Sequence, residues 1–99
     1  MAKYFLTKKA VEDLSSIWIY TFESWSEKQA DIYYQLLVDS FEEISNKPSI
    51  GKKYFEVYKN LKGLTVGRHI VFYLQNDNCI EIIRILPQQM DLKNRIKGD

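Results

Sequence analysis

At 99 residues, 45% of them hydrophobic and 14% aromatic, the chain has the length of one domain with a true core, and its composition excludes a disordered segment. One cysteine (Cys79) and one histidine (His69) exclude an internal disulfide and a metal site built on a Cys/His cluster, so no cofactor is expected. The net charge is +1, yet residues 1–46 carry four lysines against eight acids and residues 47–99 carry ten lysines and arginines against five acids, so the basic half suits an acidic protein segment or nucleic acid.

Residues 3–6 (Lys-Tyr-Phe-Leu) read as a short strand, and Thr7 as the N-cap of a first helix. From residue 8 to about 25, Ala10, Leu14, Ile17, Trp18, Thr21 and Trp25 recur at helical spacing with Glu12, Asp13 and Glu23 outside. Ser26 and Gln29 form a capping-box pattern opening a second helix to about residue 45, with Ala30, Tyr33, Leu37, Phe41 and Ile44 in line. So short a connection predicts an antiparallel helical hairpin, and Pro48 marks its end. The aromatic stripe Trp18, Trp25, Tyr33 and Phe41 is expected in the core.

Residues 48–53 form a loop with two adjacent lysines, residues 54–58 are open between a helical turn and a strand, and residues 64–66 predict a short strand. Two longer apolar strands come next, at residues 68–75 and 79–86, joined by Asn76-Asp-Asn78. In the second, Ile80 and Ile82 are expected on one face and Ile83 and Ile85 on the other, a strand inside the sheet. Pro87 ends the pairing, and residues 88–97 predict a basic C-terminal helix or tail anchored by Met90, Leu92 and Ile96. The whole is a single α+β domain over residues 1–99: an N-terminal strand, and a helical hairpin packed on a small antiparallel sheet of three to four strands. The N-terminus lacks an apolar signal core and no run approaches the ~20 residues that cross a bilayer, which predicts a cytoplasmic protein without membrane contact.

Alternation places His69, Val71 and Tyr73 on one side of the first long strand and Ile70, Phe72 and Leu74 on the other, with the more apolar set expected against the helices. If Asn76-Asp77 makes a two-residue turn, His69 falls opposite Arg84. A histidine, an arginine and a tyrosine (His69, Arg84, Tyr73) on an open face are the groups of a metal-free ribonuclease. No acid lies at obvious reach, so the favoured reading is structural: His69 hydrogen-bonds locally and Arg84 pairs with Glu81 or another acid. Lys52, Lys53, Lys59 and Lys62 form a basic loop able to meet phosphates, although a solvated surface is the plainer reading.

Three stretches resemble the ParE branch of the ParE/RelE toxin superfamily. They are Leu6-Thr7…Ala10…Asp13-Leu14…Ile17-Trp18…Tyr20…Trp25-Ser26…Gln29-Ala30…Tyr33-Tyr34; Lys47-Pro48…Gly51; and Gly67-Arg68-His69…Phe72-Tyr73…Ile80-Glu81-Ile82…Arg84-Ile85-Leu86…Met90-Asp91. The resemblance implies the toxin of a type II toxin–antitoxin pair, neutralised in a hetero-oligomer by a ParD-like antitoxin and reaching promoter DNA only through it. It implies DNA gyrase as target; the RelE-like branch instead cuts messenger RNA on the ribosome. Two positions depart from the family pattern: Thr65 stands where an arginine is usual, and Pro87 where a histidine is usual. Pro87 speaks against RNA cleavage and equally fits a weakened toxin. The outer apolar residues Ile19, Phe22, Ile32 and Leu36 suit an antitoxin groove. Arg68, Arg84, Met90, Asp91, Lys93 and Arg95 are the expected target-facing residues.

Overall fold

The computed structural model describes residues 3–88. Strand β1 (Tyr4–Leu6) leads through Thr7 into helix α1 (Lys8–Ser24), and Ser26 opens helix α2 (Glu27–Asn46). A 3-10 turn (Pro48–Ile50) comes next, then β2 (Lys52–Lys53), β3 (Lys62–Val66), β4 (His69–Asn76) and β5 (Cys79–Pro87). The five strands make one sheet in the order β1-β5-β4-β3-β2. It is wider than three or four strands and mixed rather than wholly antiparallel, because β1 lies parallel to β5 while the other pairs are antiparallel. The expected C-terminal helix or tail, with Met90, Asp91, Lys93 and Arg95, lies outside the described residues.

Both helix caps form as their residue types dictate. Thr7 Oγ1 accepts from the Ala10 amide at 3.1 Å and Ser26 Oγ from the Gln29 amide at 3.0 Å. Thr7 also ties the start of α1 to the sheet: its amide donates to the Ile82 carbonyl at 3.0 Å and its hydroxyl to the Ile83 carbonyl at 2.9 Å. Across the hairpin, Trp18 Nε1 donates to Asp31 Oδ1 at 3.0 Å.

The sheet faces are the reverse of the expectation from alternation. Val71 and Tyr73 pack under the hairpin with Ala10, Leu14, Leu37, Phe41 and Ile44, while Ile70, Phe72 and Leu86 pack on the other side against Val57 and Leu61. The reason is that segment 54–61 folds back as a compact loop and covers the second face, so both faces are apolar and hydrophobicity cannot choose between them. The loop is closed by the Tyr54 amide on the Leu61 carbonyl at 2.9 Å, with Asn60 at φ 62° in the left-handed region.

The register also differs. Asp77-Asn78 make the turn, with Asn76 opposite Cys79, and a bulge leaves Ile83 unpaired, so Phe72 faces Arg84 and His69 faces Pro87. Beyond the bulge the alternation of β5 resets: Ile80, Ile82 and Ile85 all join the helix-side core, and Ile83 packs on the opposite cluster. Within the aromatic stripe, Phe41 is core and Tyr33 half-buried, but Trp25 is 75% exposed. It is the C-cap residue of α1, one position past the last helical turn. Trp18 instead stacks on Phe22, with ring centroids 5.3 Å apart.

Candidate functional site

Two surfaces carry the chemistry: a groove between α1 and the ends of β4 and β5, and the outer side of the helical hairpin. The groove is an open hollow of about 420 Å³. Ile17, Ile85 and Leu86 are among its apolar walls, and Asp13, Ser16, Tyr20, Arg68 and His69 bring polar groups to it.

At one end of the groove the chain turns at Gly67, whose φ of +60° is the left-handed conformation that glycine accepts at least cost. A Cβ there would stand 2.6 Å from the Tyr33 ring, so the turn is pressed against α2. Tyr33 Oη accepts from the Arg68 amide at 3.0 Å and lies 2.7 Å from His69 Nδ1 and 3.3 Å from the Val66 carbonyl. Burial pushes the His69 pKa down, the nearby Asp13 carboxylate opposing weakly. Burial pushes the Tyr33 phenol up, against the Arg68 amide and charge. The phenol has one proton to give, to the Val66 carbonyl or to His69 Nδ1, and the His69 tautomer decides which. In either tautomer Nδ1 is engaged by the phenol.

At the other end, Arg84 forks onto Asp13, with Nε to Oδ2 at 2.8 Å and Nη2 to Oδ1 at 3.1 Å. Asp13 Oδ2 accepts a further bond, from the Ile85 amide at 3.0 Å. The expected pairing of Arg84 with Glu81 is therefore replaced by one with Asp13, which α1 carries past the outer edge of β5. Tyr73 is elsewhere altogether. It is wholly buried under the hairpin, its hydroxyl donating to the Pro48 carbonyl at 2.5 Å and accepting from the Gly51 amide at 2.9 Å. So His69, Tyr73 and Arg84 do not meet on an open face. Tyr73 belongs to the core and Arg84 is buried, at 7% exposure, which also withdraws it from any target-facing surface. Arg68 is exposed beside His69 and remains available.

The residues that sequence reasoning missed here are Asp13 and Tyr33. Each sits beside or within a core stripe, and an acid directly flanking such a stripe (Asp13 between Glu12 and Leu14) was the available signal for a buried ionic partner. Among the described residues no cluster of three or more histidines, cysteines or carboxylates is placed to hold a metal, and no helix is long and apolar enough to cross a membrane.

On the hairpin's outer side, Ile19, Phe22, Ile32 and Leu36 are between 45% and 53% exposed. Ile19 and Phe22 stand three positions apart on α1, and Ile32 and Leu36 four apart on α2, so each pair shares a helix face. A hollow between the helices is lined by Ser15, Trp18, Ile19, Asp31 and Tyr34. The hairpin thus exposes several large apolar and aromatic side chains on one element of a small domain.

Comparison with known proteins agrees with this geometry. Residues 4–92 match the family model described as ParE toxin of type II toxin-antitoxin system, parDE. Toxin ParE1 of Caulobacter vibrioides is 32% identical over 93 residues, covering 94% of this chain and 96% of the relative. Toxin ParE1 of Mycobacterium tuberculosis is 28% identical over 96 residues, covering 96% of this chain and 98% of the relative. Among solved structures, one described as a chromosomal ParDE TA system from P. aeruginosa superposes with a TM-score of 0.77 over 88% of this chain and 96% of that one; at 19% identity it establishes the fold.

Proposed function

The chain belongs to the ParE toxin family of type II toxin–antitoxin systems, and we propose that it works by gripping proteins: a cognate ParD-like antitoxin holds it silent, and once released it inhibits DNA gyrase in the cytoplasm and blocks replication. The observation that carries this over RNA cleavage is that His69, Tyr73 and Arg84 do not meet on one face and each is engaged within the fold. Tyr73 is buried in the core, Arg84 is locked onto Asp13, and His69 Nδ1 is hydrogen-bonded to Tyr33. The exposed apolar positions of the hairpin (Ile19, Phe22, Ile32, Leu36) supply the face for an amphipathic antitoxin segment. Such a persistent complex would bury on the order of 2,000 Å² or more. Promoter DNA is reached through the antitoxin. Arg68, with Met90, Asp91, Lys93 and Arg95, is the surface assigned to the target.

The deciding experiment sets purified toxin against gyrase supercoiling of relaxed plasmid, with and without antitoxin, beside a ribosome-dependent cleavage assay on messenger RNA. Inhibited supercoiling that the antitoxin relieves is expected, with transcripts left intact. Cleaved transcripts with gyrase unaffected, and loss of that cleavage in His69→Ala, would overturn the reading.

A further inference from the structure

Strand β5 delivers the end of the described chain to the mouth of the groove between α1 and the sheet. Pro87 is one of the groove's wall residues, and Gln88 is seated on the β3–β4 turn beside it. The Gln88 amide donates to the Arg68 carbonyl at 3.2 Å, and its side-chain Nε2 to the Gly67 carbonyl at 3.4 Å. That turn is itself fixed, by the left-handed backbone of Gly67 and by Tyr33 Oη, which accepts from the Arg68 amide. Residue 89 therefore starts from a set point on the rim. Residues 90–92 lie within ~10–17 Å of Pro87, at about 3.3 Å of chain per residue.

Two properties of the groove define what fits it. Its hollow of about 420 Å³ has apolar walls, Ile17, Ile85 and Leu86 among them. Its charge is also unbalanced. Asp13 and Arg84 cancel, and His69, its pKa held below the ordinary value by burial, is neutral at pH 7. Arg68 on the rim then leaves one positive charge in excess. The matching chemistry is a single carboxylate set between aliphatic side chains. The chain that follows Gln88 reads Gln89-Met90-Asp91-Leu92 before turning basic at Lys93, Arg95 and Lys97. Asp91 is the one acid in residues 89–97, and an apolar residue stands on each side of it.

We infer that residues 90–92 dock in the groove of their own chain, with Met90 and Leu92 on the apolar walls and Asp91 against the positive side at Arg68. Met90 suits an irregular hollow, since an unbranched thioether adapts its shape to the space available. So short a tether holds the segment at an effective concentration in the millimolar range, which a free peptide of the same chemistry would have to match. Docked, the segment carries Lys93 and Arg95 to the rim beside Arg68, and cations scattered in sequence become one surface. The docking depends on the groove and the chain's exit point alone, and is the same whatever the toxin acts on.

Reversible disulfide pairing in the whole chain measures the docking. In a Cys79→Ser background, Ser16→Cys on the groove and Lys93→Cys just past the docked segment are equilibrated in glutathione buffers. The bridged fraction, read by mass spectrometry, gives an effective concentration. A tethered segment that does not dock gives a millimolar value, and docking should raise it about tenfold or more. Met90→Ser/Leu92→Ser should return it to the undocked value. Arg68→Glu should lower it severalfold, and Asp91→Arg added to Arg68→Glu should restore it, because the ion pair is then reversed. Glu42→Cys/Lys93→Cys, with its first cysteine near the end of α2, should give the undocked value throughout. Thermal unfolding of each variant beside the parent keeps loss of fold apart from loss of docking. Pairing indifferent to Met90→Ser/Leu92→Ser, or as strong from Glu42→Cys as from Ser16→Cys, would overturn the proposal. So would a loss in Arg68→Glu that Asp91→Arg fails to restore, or bridges that join two chains, which would put a second copy in the groove.

Discussion

Replacing Asp13 by alanine tests how far the ionic pair at the groove holds the fold together. The Asp13 and Arg84 side chains are 16% and 9% exposed, and the carboxylate accepts three bonds, two from the guanidinium and one from the Ile85 amide. Removing one partner of a buried pair costs roughly 3–5 kcal/mol, because the other charge stays buried without its counterion. Asp13 retains some water contact and alanine favours helix by a few tenths of a kcal/mol, so the expectation is about 3 kcal/mol. A domain of this size has only ~5–15 kcal/mol of stability in total. Urea unfolding followed by far-UV circular dichroism measures the loss, with Arg84→Met as the companion single variant and Asp13→Leu/Arg84→Met as the double. Apolar replacement of both charges should recover the cost of the unpaired ion but leave the Ile85 amide without its acceptor, a remaining loss of about 1–3 kcal/mol. A single-variant cost below ~1 kcal/mol, or a double variant as unstable as the sum of the singles, would refute the argument, since uncoupled residues add.

Gly67→Ala should cost roughly 1–3 kcal/mol in thermal unfolding, from left-handed backbone strain together with the clash against the Tyr33 ring. For His69 the sign is set by its pKa lying below the ordinary 6.5 in the folded chain. The unfolded state then binds more protons, so stability should rise with pH from the lowered folded value up to about 6.5 and level off above it. His69→Gln should remove that rise from a plot of unfolding free energy against pH. On the hairpin, Phe22→Asp and Ile32→Asp should each weaken antitoxin binding by about 2 kcal/mol or more in calorimetry; Ile32→Asp should leave unfolding nearly unchanged, and Phe22→Asp should cost about 1 kcal/mol through its lost stack on Trp18. Full affinity in both variants would move the antitoxin face elsewhere.

The features legible in the sequence were those that local chemistry decides. Thr7 and Ser26 cap because a side-chain oxygen three residues before a free amide has one obvious use, and the apolar spacing of both helices comes from a 3.6-residue turn. The family, too, was legible in the order of its motifs. The sheet faces were not, because β4 is apolar on both sides and the loop that covers the second face, residues 54–61, has no strand or helix period to announce it. Nor was the bulge, since Ile83 is an isoleucine among isoleucines and neither glycine nor proline marks the extra residue. That one residue moved Arg84 away from His69 and made the imagined trio impossible. Trp25 misled for a different reason: helical spacing carries the stripe to its position, but the helix ends before it and no sheet lies beneath.

The same bulge explains why the groove's ionic residues are better understood as structure than as catalysts. β1 accompanies β5 no further than Ile82, so the outer edge of β5 beyond that point would expose backbone groups without a strand partner. The beginning of α1 closes that edge instead. Thr7 covers the carbonyls of Ile82 and Ile83, and Asp13, less than two turns further on, takes the Ile85 amide. Asp13 therefore stands in for a continuation of β1, and Arg84 balances the charge buried there. A carboxylate held by three donors is poorly suited to pass protons during turnover, and moving it would open the sheet. The groove leaves free a rim of Arg68 and Tyr20 around apolar walls, which is the equipment of recognition. Activity that survives Asp13→Asn in folded protein, with the antitoxin still binding, is the outcome this argument requires.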